Sequence, residues 1–130
     1  MPALIHFRSP LFDAARERVN PINPIRGLSV LEWLRSRLPA EASMTDPEPE
    51  DWGWASDVEW QGRRYLVGAG ASEEVDGATA WMLQVVPRRS LKARLLGRGK
   101  MVADDAFLAR LVDLLRSEPT STGIEVDHDA

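Results

Sequence analysis

The chain has 130 residues and a formal net charge of −4, with 44% apolar and 28% charged residues. These values are typical of one globular domain rather than a disordered chain or a strongly cationic nucleic-acid binder. The absence of cysteine excludes disulfides, thiolate metal sites and cysteine nucleophiles. No apolar run approaches the roughly 20 residues that span a bilayer. Residues 1–12 also lack the apolar core of a signal peptide, so we expect a cytoplasmic protein with no membrane contact.

Residues 1–26 are predicted to form an extended N-terminal segment, with a short strand at Ala3–Phe7. The tripeptide Asn-Pro-Ile occurs twice between Asn20 and Ile25. Each proline fixes its own φ and pushes the preceding asparagine into extended geometry. We therefore expect an ordered strap that places Ile22 and Ile25 against the body of the protein.

The first helix is predicted from Ser29 to Leu38, because leucines recur at helical spacing and Pro39 ends the pattern. Ser29 and Glu32 have the spacing of a capping box. Residues 39–51 contain three prolines and five acidic residues, which predicts a solvated acidic connector.

A β-hairpin is predicted for the two segments Trp52–Trp60 and Arg63–Ala71, joined by a two-residue turn at Gln61-Gly62. This turn fixes the register, in which Trp60 faces Arg63, Glu59 faces Arg64, Val58 faces Tyr65, Ser56 faces Val67 and Trp54 faces Ala69. The register places the apolar side chains on one face and the Glu59–Arg64 pair on the other. Since a slip by one residue would destroy both features, the register is specific.

After a loop at Asp76-Gly77, a third strand is predicted at Thr79–Val86, with Trp81, Leu83 and Val85 directed inward. Ser90 is positioned to cap a short helix that ends at Gly97, and Asp104 or Asp105 to cap a last helix that runs to about Ser117. Residues 119–130 are predicted to form a C-terminal tail or edge strand. The simplest architecture for a single domain over residues 1–130 is an antiparallel sheet of three to five strands with helices packed on one face.

Few residues offer catalytic or metal-binding chemistry. The two histidines, His6 and His128, lie near the chain ends, so we expect no metal centre, no serine–histidine catalytic site and no cofactor. Gly68–Ser72 is glycine-rich, but no helix follows it to hold a phosphate, so its small residues instead allow close packing or a bulge. Asp57 and Glu59 share a strand face, and we interpret them as a solvated polar surface.

The charge distribution gives the clearest functional signal. Residues 39–62 contain seven acidic residues and no Lys or Arg, whereas residues 78–103 contain six basic residues and no acid. We call Arg88–Lys100 the basic segment. Its candidate binding residues are Arg88, Arg89, Lys92, Arg94, Arg98 and Lys100. Trp52 and Trp33 are added as candidate partly exposed anchors, because Trp is enriched at binding hot spots.

Three strings in the chain resemble those of a group of small bacterial proteins that carry no assigned activity. They are Glu50-Asp51-Trp52-Gly53-Trp54, then Gly62-Arg63-Arg64-Tyr65, then Arg89-Ser90-Leu91 with Leu95-Leu96-Gly97-Arg98. The resemblance runs from about Asn20 to Leu115. It implies a bacterial cytoplasmic origin and brings no ligand or site residue with it.

Two functions follow as hypotheses. The first is a non-catalytic interaction module that binds an acidic protein surface through the basic segment, as a small immunity protein does when it neutralises a toxin. Its alternative is a small anionic-ligand binder or enzyme with its ligand between the sheet and the basic segment. Nucleic acid is disfavoured because the net charge is negative. A deep pocket lined by the basic residues would favour the alternative, and basic residues extended into water would favour the interaction module.

Overall fold

A computed structural model describes residues 3–10, 12, 17–75 and 78–128 of the chain. Its elements, in chain order, are β1 (Ala3–Ser9), α1 (Leu28–Arg37), β2 (Ser43–Met44), β3 (Glu48–Glu50), β4 (Gly53–Trp60), β5 (Arg63–Val75), β6 (Ala78–Pro87), α2 (Leu91–Leu95), α3 (Ala106–Ser117) and β7 (Thr122–Asp127). Parts of the predicted N-terminal segment (residues 1–2, 11 and 13–16), the predicted loop at Asp76-Gly77 and the tail residues 129–130 lie outside the described residues.

Within the described residues, seven strands form one antiparallel sheet in the order β2-β4-β5-β6-β1-β7, with β3 paired to β4 beside β2. The α+β class and the antiparallel sheet are therefore confirmed, but the predicted number of three to five strands is too low. The additional strands β2 and β3 lie in the acidic connector. An edge strand of two or three residues needs little alternation in its sequence, so its pattern is hard to detect.

The predicted hairpin is confirmed in every pair. β4 and β5 pair Trp60 with Arg63, Glu59 with Arg64, Val58 with Tyr65, Ser56 with Val67, and Trp54 with Ala69. The turn residues Gln61 and Gly62 have φ values of 51° and 76°. Positive φ at both positions matches the twist of a two-residue hairpin turn and favours glycine at the second.

One face of the sheet, which we call the core face, is buried. It contains alternate residues of the four longest described strands, among them Phe7, Trp54, Tyr65, Trp81 and Leu83. The inward direction predicted for Trp81, Leu83 and Val85 is confirmed. Helix α3 contributes its own buried side chains, listed as Phe107, Leu108, Leu111, Val112 and Leu115. Because the register aligns the inward positions of neighbouring strands, their side chains form one continuous core.

The helices do not all pack on that face as predicted. α1 contacts β4 and β5, and α3 contacts β7. α2, in contrast, buries none of its side chains. Its five residues are too short to present a broad apolar stripe, so the predicted packing fails for this helix.

The predicted capping box of α1 is wrong. Gly27 occupies the N-cap position and offers no side chain to the helix. The Glu17 carboxylate takes that role, since it accepts hydrogen bonds from the backbone N–H groups of Gly27 (2.8 Å), Leu28 (2.9 Å) and Ser29 (3.1 Å). A carboxylate from outside the helix thereby satisfies donors that the helix cannot.

An asparagine, rather than the predicted isoleucine pair, anchors the strap. Asn20 is buried, and its side-chain nitrogen donates to the carbonyl oxygens of Glu50 (2.9 Å) and Gly53 (2.7 Å). Its side-chain oxygen accepts from the backbone N–H of Ile22 at 2.9 Å. The Ile22 side chain is 60% exposed, so its predicted packing is wrong, whereas Ile25 is half-buried.

Candidate interaction surface

The basic segment follows directly from the end of β6 at Pro87. Ser90 caps α2 as predicted, with its side-chain oxygen accepting from the backbone N–H of Ala93 at 3.1 Å. Gly97 has a φ of 66°, and Arg98 N–H donates to the carbonyl oxygen of Ala93 at 2.7 Å. These contacts give α2 a defined beginning and end without any buried side chain.

Arg88 and Arg89 hold the segment to the fold. The Arg88 side chain donates to Asp57 at 2.8 Å, and its backbone N–H donates to the carbonyl oxygen of Arg64 at 2.8 Å. The half-buried Arg89 side chain packs against Gly99 and donates to the carbonyl oxygen of Arg98 at 3.3 Å. Both residues therefore use their donors within the chain.

The other four candidate cations, Lys92, Arg94, Arg98 and Lys100, extend into solvent. All four are exposed, and none of the ion pairs between described residues includes them. The structure thus divides the six predicted residues into two that support the segment and four that are available for contact.

Exposed apolar side chains accompany these cations. Leu91 is 74% exposed, Leu95 79%, Leu96 53% and Val102 49%. These residues are not among the binding candidates predicted from the sequence. The sequence does show leucines interleaved with cations. A helix of five residues is too short, however, for their spacing to indicate whether the leucines face inward or outward.

A carboxylate network fixes the far end of the segment. Asp105 is buried and caps α3 by accepting from the backbone N–H of Leu108 at 3.0 Å. It also accepts from the Tyr65 hydroxyl at 3.0 Å and from Arg63 at 2.9 Å. Burial, followed by the hydrogen bond to Asp105, raises the pKa of Tyr65 to about 12. Arg63 also reaches the carbonyl oxygen of Gly99, at 3.5 Å, so the network connects the hairpin, α3 and the basic segment.

Two cavities beside the segment include Arg88 but none of its other cations. The larger, of about 300 Å³, is lined by Ser43, Thr45, Asp57, Val58, Glu59, Arg64 and Arg88. The smaller, of about 160 Å³, also contains Asp57 together with Glu48 and Glu50. Carboxylates in both cavities oppose the binding of an anion there.

The two candidate tryptophans are both half-buried. The Trp33 ring meets Phe12 edge-on at 5.6 Å between centroids and lies beneath the Arg37 guanidinium. Trp52 precedes β4, and its ring covers Gly68 so closely that a Cβ there would lie 2.2 Å from the ring. The absence of a side chain at Gly68 thus permits close packing, as expected. Neither tryptophan adjoins α2 in sequence, and both rings are engaged within the chain.

In the part of the chain that the structure describes, no group of three or more His, Cys, Asp or Glu side chains could hold a metal ion. No helix among the described residues has the length and apolarity to cross a membrane. Comparison of the chain with protein-family models, curated proteins and solved structures finds no match.

Proposed function

We propose that this chain is a non-catalytic protein-interaction module of a bacterial cytoplasm, and that its basic segment binds an acidic surface on a partner protein. The likeness to small immunity proteins that neutralise a toxin is an analogy and does not depend on a shared fold. The partner class is set by charge. Lys92, Arg94, Arg98 and Lys100 complement carboxylates on an opposing surface.

The observation that supports this proposal most strongly is the exposure of four cations and three leucines on one short segment. Large apolar side chains scattered singly on a surface need no explanation, but a contiguous set marks a contact site. Here Leu91, Leu95 and Leu96 fall within six residues of each other, and the cations alternate with them.

The alternative function, an anionic-ligand binder or enzyme, needs several cations that converge on one cavity. Of the basic segment, Arg88 alone lines the two cavities beside it, where it pairs with Asp57. Among the described residues, the one further cation there, Arg64, pairs with Glu59. The geometry therefore favours an extended contact surface over a ligand cavity.

Charge reversal tests the proposal. A Lys92→Glu/Arg94→Glu variant of the full chain, used as bait in the source bacterium, is expected to lose the proteins that the wild type retains. Arg110→Glu/Arg116→Glu is the matched control, since these two cations are exposed on α3. Quantitative mass spectrometry of the retained proteins gives the comparison. Equal sets of partners for the wild type and the Lys92/Arg94 variant would refute the proposal.

A further inference from the structure

Leu91 and Leu95, we infer, are paired anchors that insert into an apolar groove on the partner protein, and carboxylates line both rims of that groove. This inference rests on the proposed function and adds the chemistry of the partner's site. In this arrangement the two leucines supply binding affinity, and the cations accelerate association.

The orientation of α2 determines which of its side chains face solvent. An α-helix turns about 100° per residue, so Leu91 and Leu95 share one face and Ala93 lies nearly opposite them. Ala93 is the half-buried residue of this helix, while Leu91 and Leu95 are 74% and 79% exposed. The helix therefore rests on the protein by its alanine side and presents both leucines outward.

The two cations of α2 flank the pair of leucines. By the same helical turn, Arg94 lies on one side of the leucine pair and Lys92 on the other. Both are exposed. An apolar ridge with a cation on each flank complements a groove with an apolar floor and acidic rims. A helix presenting anchors at i and i+4 to a groove is a recurrent mode of peptide recognition.

The two residue types contribute differently to binding. Apolar side chains that become buried at an interface contribute affinity in proportion to the apolar area removed from water, and such changes in affinity act mainly on the dissociation rate. Charges at the rim mainly accelerate association and weaken with salt. The leucines and the cations are therefore distinguishable by kinetics, although they share one turn of helix.

A protein groove fits these observations better than an anionic membrane. α2 has five residues, far fewer than the usual interfacial helix. A membrane would also face the wider surface of a chain with a net charge of −4, whereas a groove meets only the local basic surface.

Photo-crosslinking in the source bacterium tests the contact. The full chain carries a benzophenone amino acid at Leu95 in one variant and at Arg110, on α3, in the control variant. We expect Leu95 to crosslink to a protein segment in which acidic residues flank apolar ones, and Arg110 to give no such product. Crosslinks from Leu95 to phospholipid, or the absence of any protein product, would overturn the inference.

The crosslinked protein, once purified, is then titrated with the wild type, Leu91→Ala/Leu95→Ala and Lys92→Ala/Arg94→Ala. We expect the leucine variant to weaken binding by about tenfold or more, mainly through faster dissociation. The cation variant is expected to slow association and flatten its salt dependence. Unchanged affinity for the leucine variant, with a weakened cation variant, would refute the anchors and leave the proposed function intact. Unchanged affinity for both would refute both.

Discussion

A single buried carboxylate explains how the end of the hairpin is fastened to α3. Asp105 has three partners: the Leu108 N–H, the Tyr65 hydroxyl and the Arg63 guanidinium. The Asp105 side chain is fully buried, while that of Arg63 is 42% exposed, so solvent screens much of the ion pair. The hydrogen bond from the buried Tyr65 hydroxyl is consequently the more protected contact.

The protonation of Tyr65 is the prediction at this scale. The chain contains one tyrosine, so absorbance at alkaline pH reports this residue alone. We expect a midpoint at about 12 in the folded state, from pH-jump absorbance recorded before unfolding. Asp105→Asn should lower the midpoint while leaving it above the ordinary value, since burial, the larger cause, remains.

The exposed neighbour Asp104 supplies the control, because Asp104→Asn should leave the midpoint unchanged. The same pKa shift affects stability. Between about pH 10 and 12 the unfolded chain loses the tyrosine proton and the folded chain keeps it, so the free energy of unfolding falls as pH rises through this window. An ordinary midpoint for Tyr65 in the folded wild type would contradict the network.

Residue-level prediction from the sequence succeeded where the cause was local. Ser90 and Asp105 cap the helices that follow them, and a cap depends on only three or four neighbouring residues. The location of Trp52 could not be found in this way. Its ring lies over Gly68, which belongs to the neighbouring strand β5, so the sequence around Trp52 alone could not show what the ring covers.

At the scale of elements, the start of α1 depends on a residue ten positions before the helix N-cap. Glu17 supplies the acceptor that Ser29 and Glu32 were expected to provide. Capping boxes are detectable because they are local, and a carboxylate that arrives from a separate segment leaves no such spacing. The register of the hairpin, in contrast, was predictable, because its turn length and cross-strand pairs constrain each other.

The cap of α1 gives the prediction for this scale. Glu17→Ala should lower the free energy of unfolding by about 1–2 kcal/mol, since three backbone donors lose their acceptor and the helix loses a favourable charge. Glu32→Ala is the matched control and should change it by less than about 0.5 kcal/mol, because Glu32 is exposed. Urea titration measures both. A larger loss of unfolding free energy for Glu32→Ala than for Glu17→Ala would support the predicted capping box instead.

At the scale of the whole molecule, the buried core and the exposed basic segment are separate. The sheet, α1 and α3 supply the buried core, and α2 supplies none of it. Charge asymmetry along the sequence located the basic segment, because runs of like charge are visible without a structure. Which of its cations are free was not predictable, since Arg88 finds Asp57 only through the pairing of β4, β5 and β6.

We expect the outward side of α2, formed by Leu91 and Leu95, to contribute little to the stability of the fold. Urea unfolding of Leu91→Ser/Leu95→Ser measures this contribution, with the buried Leu111→Ala as reference. We predict that the double variant retains the wild-type free energy of unfolding within about 0.5 kcal/mol, whereas Leu111→Ala loses about 2–5 kcal/mol. A loss in the double variant comparable to that of Leu111→Ala would show that these leucines belong to the core and would contradict the account.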